Sequence, residues 1–272
     1  MTIINRRSFL KGIVAGALVV GFDPKTRSWL TEAEGVAAAS SFPTFDGVLY
    51  TDATALNAAA EDYGHIIHRI PMAVLKPASV NDIIKLVKFA RNNNIKIAGR
   101  GQGHSTYGQP LVEAGVVIDM SGLNTIHTVK SDYAIVDAGA TWHNVLDATL
   151  AQGLTPPVMT DYIELSVGGT LSVGGIGGVS HQYGVQIDNV LELEVVTGEG
   201  KLETCSAKHK RKLFDAVLGG LGQCGIIVRA KIKLIPAQTN ARVFMLYYND
   251  LATFTSDQLK LIGDKRFSYV EG

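Results

Sequence analysis

The sequence predicts an α+β fold, and three observations predict it: apolar residues at helical spacing over residues 80–87, short β-rich runs at 116–120, 133–138 and 191–196, and dense glycine between such segments. Its 272 residues allow one large domain or two modest ones, with ample chain to bury a core. Lys and Arg number 25 and Asp and Glu number 25, so there is no broad basic field for nucleic acid. Cys205 and Cys224 are too few for a disulfide scaffold and wrongly spaced for a zinc site; two free thiols are expected rather than one bridge. Glycine is the outlier, at 29 residues, bunched in a few stretches where backbone must come close to something.

The first forty residues read as an address. Arg6-Arg7-Ser8-Phe9-Leu10-Lys11 precedes an uncharged apolar run at 12–22 that is too short to cross a bilayer as a helix, and Ala37-Ala38-Ala39 offers a cleavage point. The paired arginines resemble the twin-arginine export signal, with Asn5 where Ser is commoner. Export of the folded protein to the periplasm or beyond is the expectation, against a frayed or membrane-tethered N-terminus. Residues 1–39 are therefore set apart from the fold.

Each later element has a local reason. Ser79 caps a helix in which Val80, Ile83, Ile84 and Val87 share a face, until Asn92-Asn93-Asn94 stop it. A strand at 95–98 leads into a glycine loop at 99–103, and strands follow at 116–120 and 133–138. A helix at 142–152 places Trp142, Val145, Leu146 and Leu150 on one side, with Gly153 in the stop position. Pro156-Pro157 then lead to Asp161. Strands at 191–196 and 201–205 flank the turn Thr197-Gly198-Glu199-Gly200, a short helix follows at 214–221, and a half-buried strand at 226–235 ends at Pro236. A strand at 243–248 and a helix at 251–261 complete the expected elements.

The glycine segments fit neither common nucleotide motif. Gly99-Arg100-Gly101-Gln102-Gly103 has glycine at every second position, and 168–178 extends the theme, without the Gly-x-Gly-x-x-Gly spacing of a Rossmann turn or the Lys-Ser/Thr ending of a Walker loop. Successive backbone N–H groups in such segments can still cradle an anion, since no Cβ blocks the approach. Tight turns are the plain alternative for either segment alone. His104-Ser105 directly after the first loop, Gln109 beyond it and an isolated Asp161 ahead of the second favour a diphosphate cradle.

Taken together these residues resemble the vanillyl-alcohol-oxidase superfamily of FAD enzymes, and within it the cytokinin dehydrogenases. Gly101-Gln102-Gly103-His104-Ser105-Thr106-Tyr107-Gly108-Gln109 resembles the flavin-linking motif. Thr160-Asp161-Tyr162 followed by 167–172 resembles the catalytic and diphosphate segment. The stretches 186–192, 213–223 and Tyr269-Val270-Glu271-Gly272 agree, so the likeness runs from about residue 45 to the end. Gln102 stands where the family usually has Arg, and Cys224 where Phe is typical. The resemblance implies a PCMH-type FAD-binding domain of two subdomains at 40–240, followed at 241–272 by the start of an α+β substrate (cap) domain. Family members are roughly twice this length, and coding sequence beyond Gly272 is the expectation.

The resemblance also implies roles. FAD would be bonded through an imidazole nitrogen of His104 to the flavin 8α carbon, which raises the flavin's reduction potential; a hydrogen-bonded loop histidine is the plain alternative. Gly101, Gln102, Gly103, Ser105 and Gln109 in the first loop, Ser166, Ser172 and Ile176 in the second, Asp161, and Ile227 on the late strand would grip the cofactor. Asp161 would also be the catalytic carboxylate, accepting a hydrogen bond from the substrate N–H, and Glu271 would face the substrate; a turn cap is the alternative for Asp161. No metal is expected: His65 and His68 sit three apart without an evident third ligand. His127, His143, His181 and His209 have no partner recognisable from sequence.

The implied activity is oxidation of the C–N bond of N6-isoprenoid adenines to an imine that water hydrolyses to adenine and an aldehyde, with an electron acceptor such as a quinone or oxygen, in a monomer. Rivals are a superfamily oxidase acting on a sugar, lactone or alcohol, and a non-catalytic flavin-binding fragment.

Overall fold

The computed structural model describes residues 19–23, 28–31 and 42–272. The twin-arginine motif and the cleavage region lie outside the described residues, while Val19–Asp23 (β1) and Ser28–Thr31 (β2) form an antiparallel pair. No described helix is long and apolar enough to cross a membrane.

The first layer contains Val48–Tyr50 (β3), the short helix Ala53–Ala58 (α1), Ala73–Lys76 (β4), Val80–Asn93 (α2), Ile97–Arg100 (β5) and Val116–Asp119 (β6). The sheet order is β3-β4-β6-β5, with β6 parallel to both β4 and β5. Side chains alternate across a strand, and here both faces are covered. Ala73, Leu75, Val116 and Ile118 enter the main core, whereas Val74 and Val117 pack with Leu56 and Val112 on the other side. That is why 116–118 reads as an unbroken apolar run.

α2 follows its sequence signals closely. The Ser79 hydroxyl accepts from Asp82 N–H, Asn94 takes the left-handed conformation at φ 56°, and Ile83, Leu86, Val87 and Ala90 are buried. The following strand begins two residues later than its β-rich pattern suggests. Ile95 N–H still bonds back to the Ala90 carbonyl at 2.8 Å, so the backbone does not extend until Ile97.

The second layer is a five-stranded antiparallel sheet. In chain order this half runs through the strands Ile126–Val129 (β7) and Tyr133–Asp137 (β8), the helix Trp142–Leu150 (α3), the two-residue strand Leu154–Thr155 (β9), which stands outside this sheet, the short helices Val167–Leu171 (α4) and Ser180–Tyr183 (α5), and the strands Val190–Val196 (β10) and Leu202–Cys205 (β11). The helix Arg211–Val217 (α6), Ile226–Lys233 (β12), Ile235–Pro236 (β13, paired with β9) and Leu251–Asp264 (α7) complete the order. The strand order is β11-β10-β12-β8-β7. Arg229 on β12 lies opposite both Asp137 and Glu194 and bonds to each, at 3.2 and 2.9 Å. Ala134, Val136, Leu193, Val195 and Val228 of this sheet share one core with α2 and the first sheet.

Two expected elements differ. The helix expected at 214–221 lies at 211–217, because Leu218 is extended and Gly219, at φ +67°, donates to the Leu171 carbonyl instead of continuing the helix. Residues 243–248 form no strand. Val243, Phe244, Met245, Leu246 and Tyr247 are 60–91% exposed, and a β-rich run without a partner edge has nothing to satisfy its backbone. Cys205 is buried and Cys224 exposed, both as free thiols.

Candidate functional site

The two glycine-rich segments meet. Parallel pairing of β5 with β6 leads the backbone to Gly101, and the exit from β8 positions α4, since Val167 and Gly168 N–H donate to the Ala140 and Ala138 carbonyls. Trp142 Nε1 locks the other side of α4 through a buried 2.8 Å bond to Thr170 Oγ1. Ser166, 3% exposed, precedes α4 without capping it, and its hydroxyl lies where a Cβ on Gly101 would be. Both glycines flanking the hydroxyl are needed, for a Cβ on Gly169 would also sit 2.8 Å from that oxygen.

Between these segments lies a cavity of about 1000 Å³, at the top of the size range of small-molecule sites. It is lined by Gly101, Gln102, Gly103, His104, Ser105 and Gln109 of the first loop, by Ser166 and Ser172 at α4, and by Ile227 of β12. Ile176, 73% exposed, does not line it, and neither do Asp161 and Glu271. Sequence reasoning missed Arg69, Lys96, Thr170 and the turn at 221–223, all on the lining. Arg69 and Lys96 come from segments with no glycine or motif signal, and only the tertiary path of the backbone brings them here.

The lining suits an anionic nucleotide. Outside helices and strands, and among the described residues, backbone amides 102–107 donate to no backbone acceptor, so they are free for a ligand. The lining carries two cations, Arg69 and Lys96, against one carboxylate, Glu113, which accepts Ile70 N–H at 2.9 Å. Gln109 Oε1 is buried without a partner, as expected of an acceptor awaiting a ligand donor. Glycine where a Cβ would collide, free amides and an orphaned acceptor together fit a flavin dinucleotide.

His104 stands at the cavity with its ring exposed. It stacks on Tyr63 with ring centres 3.8 Å apart and on Tyr162 at 5.1 Å, so the residue after Asp161 is drawn to the histidine loop. Asp161 and Glu271 are also brought together, through Tyr269. The Tyr269 hydroxyl lies 2.8 Å from Glu271 Oε2 and 3.2 Å from Asp161 Oδ1. One phenolic proton serves two carboxylates. The bond to Glu271, then burial and the Asp161 charge, push the Tyr269 pKa well above its ordinary value. The terminal segment is seated by Val270 N–H on the Gly178 carbonyl at 2.9 Å and by Gln182 Nε2 on the Phe267 carbonyl at 2.7 Å.

Among the described residues no three His, Cys, Asp or Glu side groups are arranged so that they could hold a metal ion; His65 and His68 each pair with Glu61, at 2.8 and 3.5 Å. Three of the other histidines acquire partners that sequence does not reveal. His127 meets Asp137 at 2.7 Å, His143 meets Glu164 at 2.6 Å, and His181 meets the Phe267 carbonyl at 3.2 Å.

Residues 71–206, half of the chain, match the family described as FAD binding domain. An uncharacterized oxidoreductase of the fasciation locus of Rhodococcoides fascians is 47% identical over 83% of this chain and 52% of its own length. Cytokinin dehydrogenase 7 of Oryza sativa subsp. japonica is 46% identical, covering 82% of this chain and 45% of its own, and cytokinin dehydrogenase 1 of Arabidopsis thaliana is 43% identical, covering 86% and 42%. The chain thus spans about half the length of these relatives. The solved structure of 6-hydroxy-D-nicotine oxidase from Arthrobacter nicotinovorans superposes with a TM-score of 0.67 at 25% identity, over 72% of this chain and 44% of the other.

Proposed function

The chain belongs to the FAD-binding-domain family, and from that premise we propose that it holds the flavin of an oxidoreductase that oxidises the C–N bond bearing the isoprenoid group of N6-isoprenoid adenines, the cytokinins. The observation that carries this reading is the cradle of free amides where the two glycine segments meet, in a protein 43–46% identical to cytokinin dehydrogenases. When bound, FAD supplies the two-electron acceptor for hydride from the substrate.

The residues divide the remaining work. Amides 102–105 and Ser166 hold the diphosphate oxygens, Arg69 and Lys96 balance their charge, and Ile227 offers an apolar wall. His104, presented between two tyrosines, carries the covalent tether. Asp161 accepts a hydrogen bond from the substrate N–H and takes that proton as hydride leaves the adjacent carbon; positive charge growing on nitrogen is thereby stabilised. Loss of one hydride and one proton leaves the imine, and water converts it to adenine and an aldehyde. Tyr269 links Glu271 to this carboxylate.

The test is spectroscopic. Purified protein reconstituted with FAD should keep its yellow colour through acid precipitation, and His104→Ala should lose it. Isopentenyladenine added without oxygen should bleach the flavin, and Asp161→Asn should slow bleaching on the order of 100-fold or more at equal flavin content. Bleaching only by sugars or alcohols would move the protein to another oxidase reaction, and no bleaching by any of these would leave a flavin-binding unit without the activity. Export by the twin-arginine route is proposed from Arg6 and Arg7; replacing both with Lys should keep the protein in the cytoplasm.

A further inference from the structure

The loop that carries His104 keeps its amides free for a ligand, so its order must come from its carbonyls and its side groups. Two residues ahead of β4 supply that order. Tyr63 N–H is shared between the Gly103 and Ser105 carbonyls, at 3.0 and 2.9 Å, the two carbonyls that flank His104. The Tyr63 ring lies on the His104 imidazole with centres 3.8 Å apart and planes 25° from parallel. At the far end, Asp62 Oδ2 accepts Gly108 N–H at 2.6 Å in a buried bond across 46 residues of sequence. Gly103 and Gly108, at φ +70° and +73°, turn the backbone at both anchors.

Asp62 is 2% exposed, and its second oxygen, Oδ1, is buried without a partner. Burying a carboxylate is expensive, and a site tolerates it when the geometry it enforces matters. Arg100, whose guanidinium fills the space beside Gly103, holds the Glu61 carbonyl at 2.8 Å and keeps this segment against the loop. We propose that Asp62 and Tyr63 are positioning residues for the flavin tether: Tyr63 fixes the orientation of the His104 ring, and Asp62 pins the loop that bears it. The inference rests on His104 as the point of attachment. Bond formation needs the imidazole nitrogen aimed at one carbon, and a misplacement of about 1 Å costs on the order of 100-fold in rate.

The experiment follows tethering in time. Flavin-free protein is mixed with FAD, samples are acid-precipitated, and flavin remaining on the polypeptide is compared with total bound flavin. Tyr63 is exposed, so Tyr63→Leu should fold and bind FAD as the parent does, yet tether it roughly 10-fold or more slowly, while Tyr63→Phe should match the parent. Asp62→Asn retains an acceptor for Gly108 and should tether faster than Asp62→Ala. Tethering by Tyr63→Leu at the parental rate would overturn the proposal. A second readout does not depend on flavin: the His104 ring protons, assigned by their loss in His104→Ala, should resonate upfield in the parent and move downfield in Tyr63→Leu. An unchanged position would overturn the clamp. A parent without acid-stable flavin removes the tether reading alone, and the ring-proton shift then decides the clamp by itself.

Discussion

At Gly101 the missing Cβ has an identifiable neighbour, the Ser166 hydroxyl, which occupies the space it would take. Gly101→Ala should therefore lower FAD content several-fold while shifting Tm little, and Ser166→Ala, which leaves the backbone path as it is, should lower it less, because one hydroxyl is lost while the approach at Gly101 stays open. Flavin absorbance per polypeptide after reconstitution checks both. Glycine at this position was legible as a close approach; which atom it approaches was not, since Ser166 lies far along the sequence, beyond β6, β7, β8 and α3. The cysteines show the same divide. Burial, followed by the nearby Glu192 charge, pushes the Cys205 thiol up to about 11, whereas Cys224 is exposed. A thiol reagent at about pH 8 should modify Cys224 alone in the native protein, and both cysteines after denaturation.

Among the elements, α2 shows how far local signals reach. Its cap, its buried face and its asparagine stop are all written in adjacent residues. The buried Asp82 in its first turn does something further, because it accepts N–H bonds from Asp46, Gly47 and Ala78 at 2.7–3.0 Å and so ties the entering segment to the helix. Burial pushes its pKa up, but the backbone bonds from Asp46, Ala78, Gly47 and Ser79 outweigh it and hold the carboxyl below its ordinary 3.8. The folded pKa is thus lower than the unfolded one. The contribution to stability is complete above the unfolded value and is lost as pH falls through the folded one. Asp82→Asn should cost about 2 kcal/mol in urea unfolding at neutral pH, and that difference should shrink as pH falls below 3.8. Residues 243–248 mark the opposite case. Their β-rich composition states a preference, but a strand exists only where a neighbouring edge takes up its hydrogen bonds, and no described edge does so.

In the molecule as a whole, the two sheets and α2 share one core, while the segment joining β13 to α7 is spread on the surface. Phe244 and Tyr247, 61% and 91% exposed, lie in that segment. Brief chymotrypsin treatment should cut there first, and the larger product should keep its flavin; early cuts within β4–β12 would contradict this layout. Periodicity, caps and glycine spacing settled the α+β character and most helices and strands, and marked the two glycine-rich segments that line the cavity, because these depend on backbone preference and on the burial of alternating or helical faces. Only the folded protein revealed that Ser166 reaches Gly101, that Tyr63 lies on His104, and that Tyr269, beside Glu271, reaches Asp161 across 108 positions. Such meetings depend on the route of the backbone between layers, and no short stretch of residues carries that information.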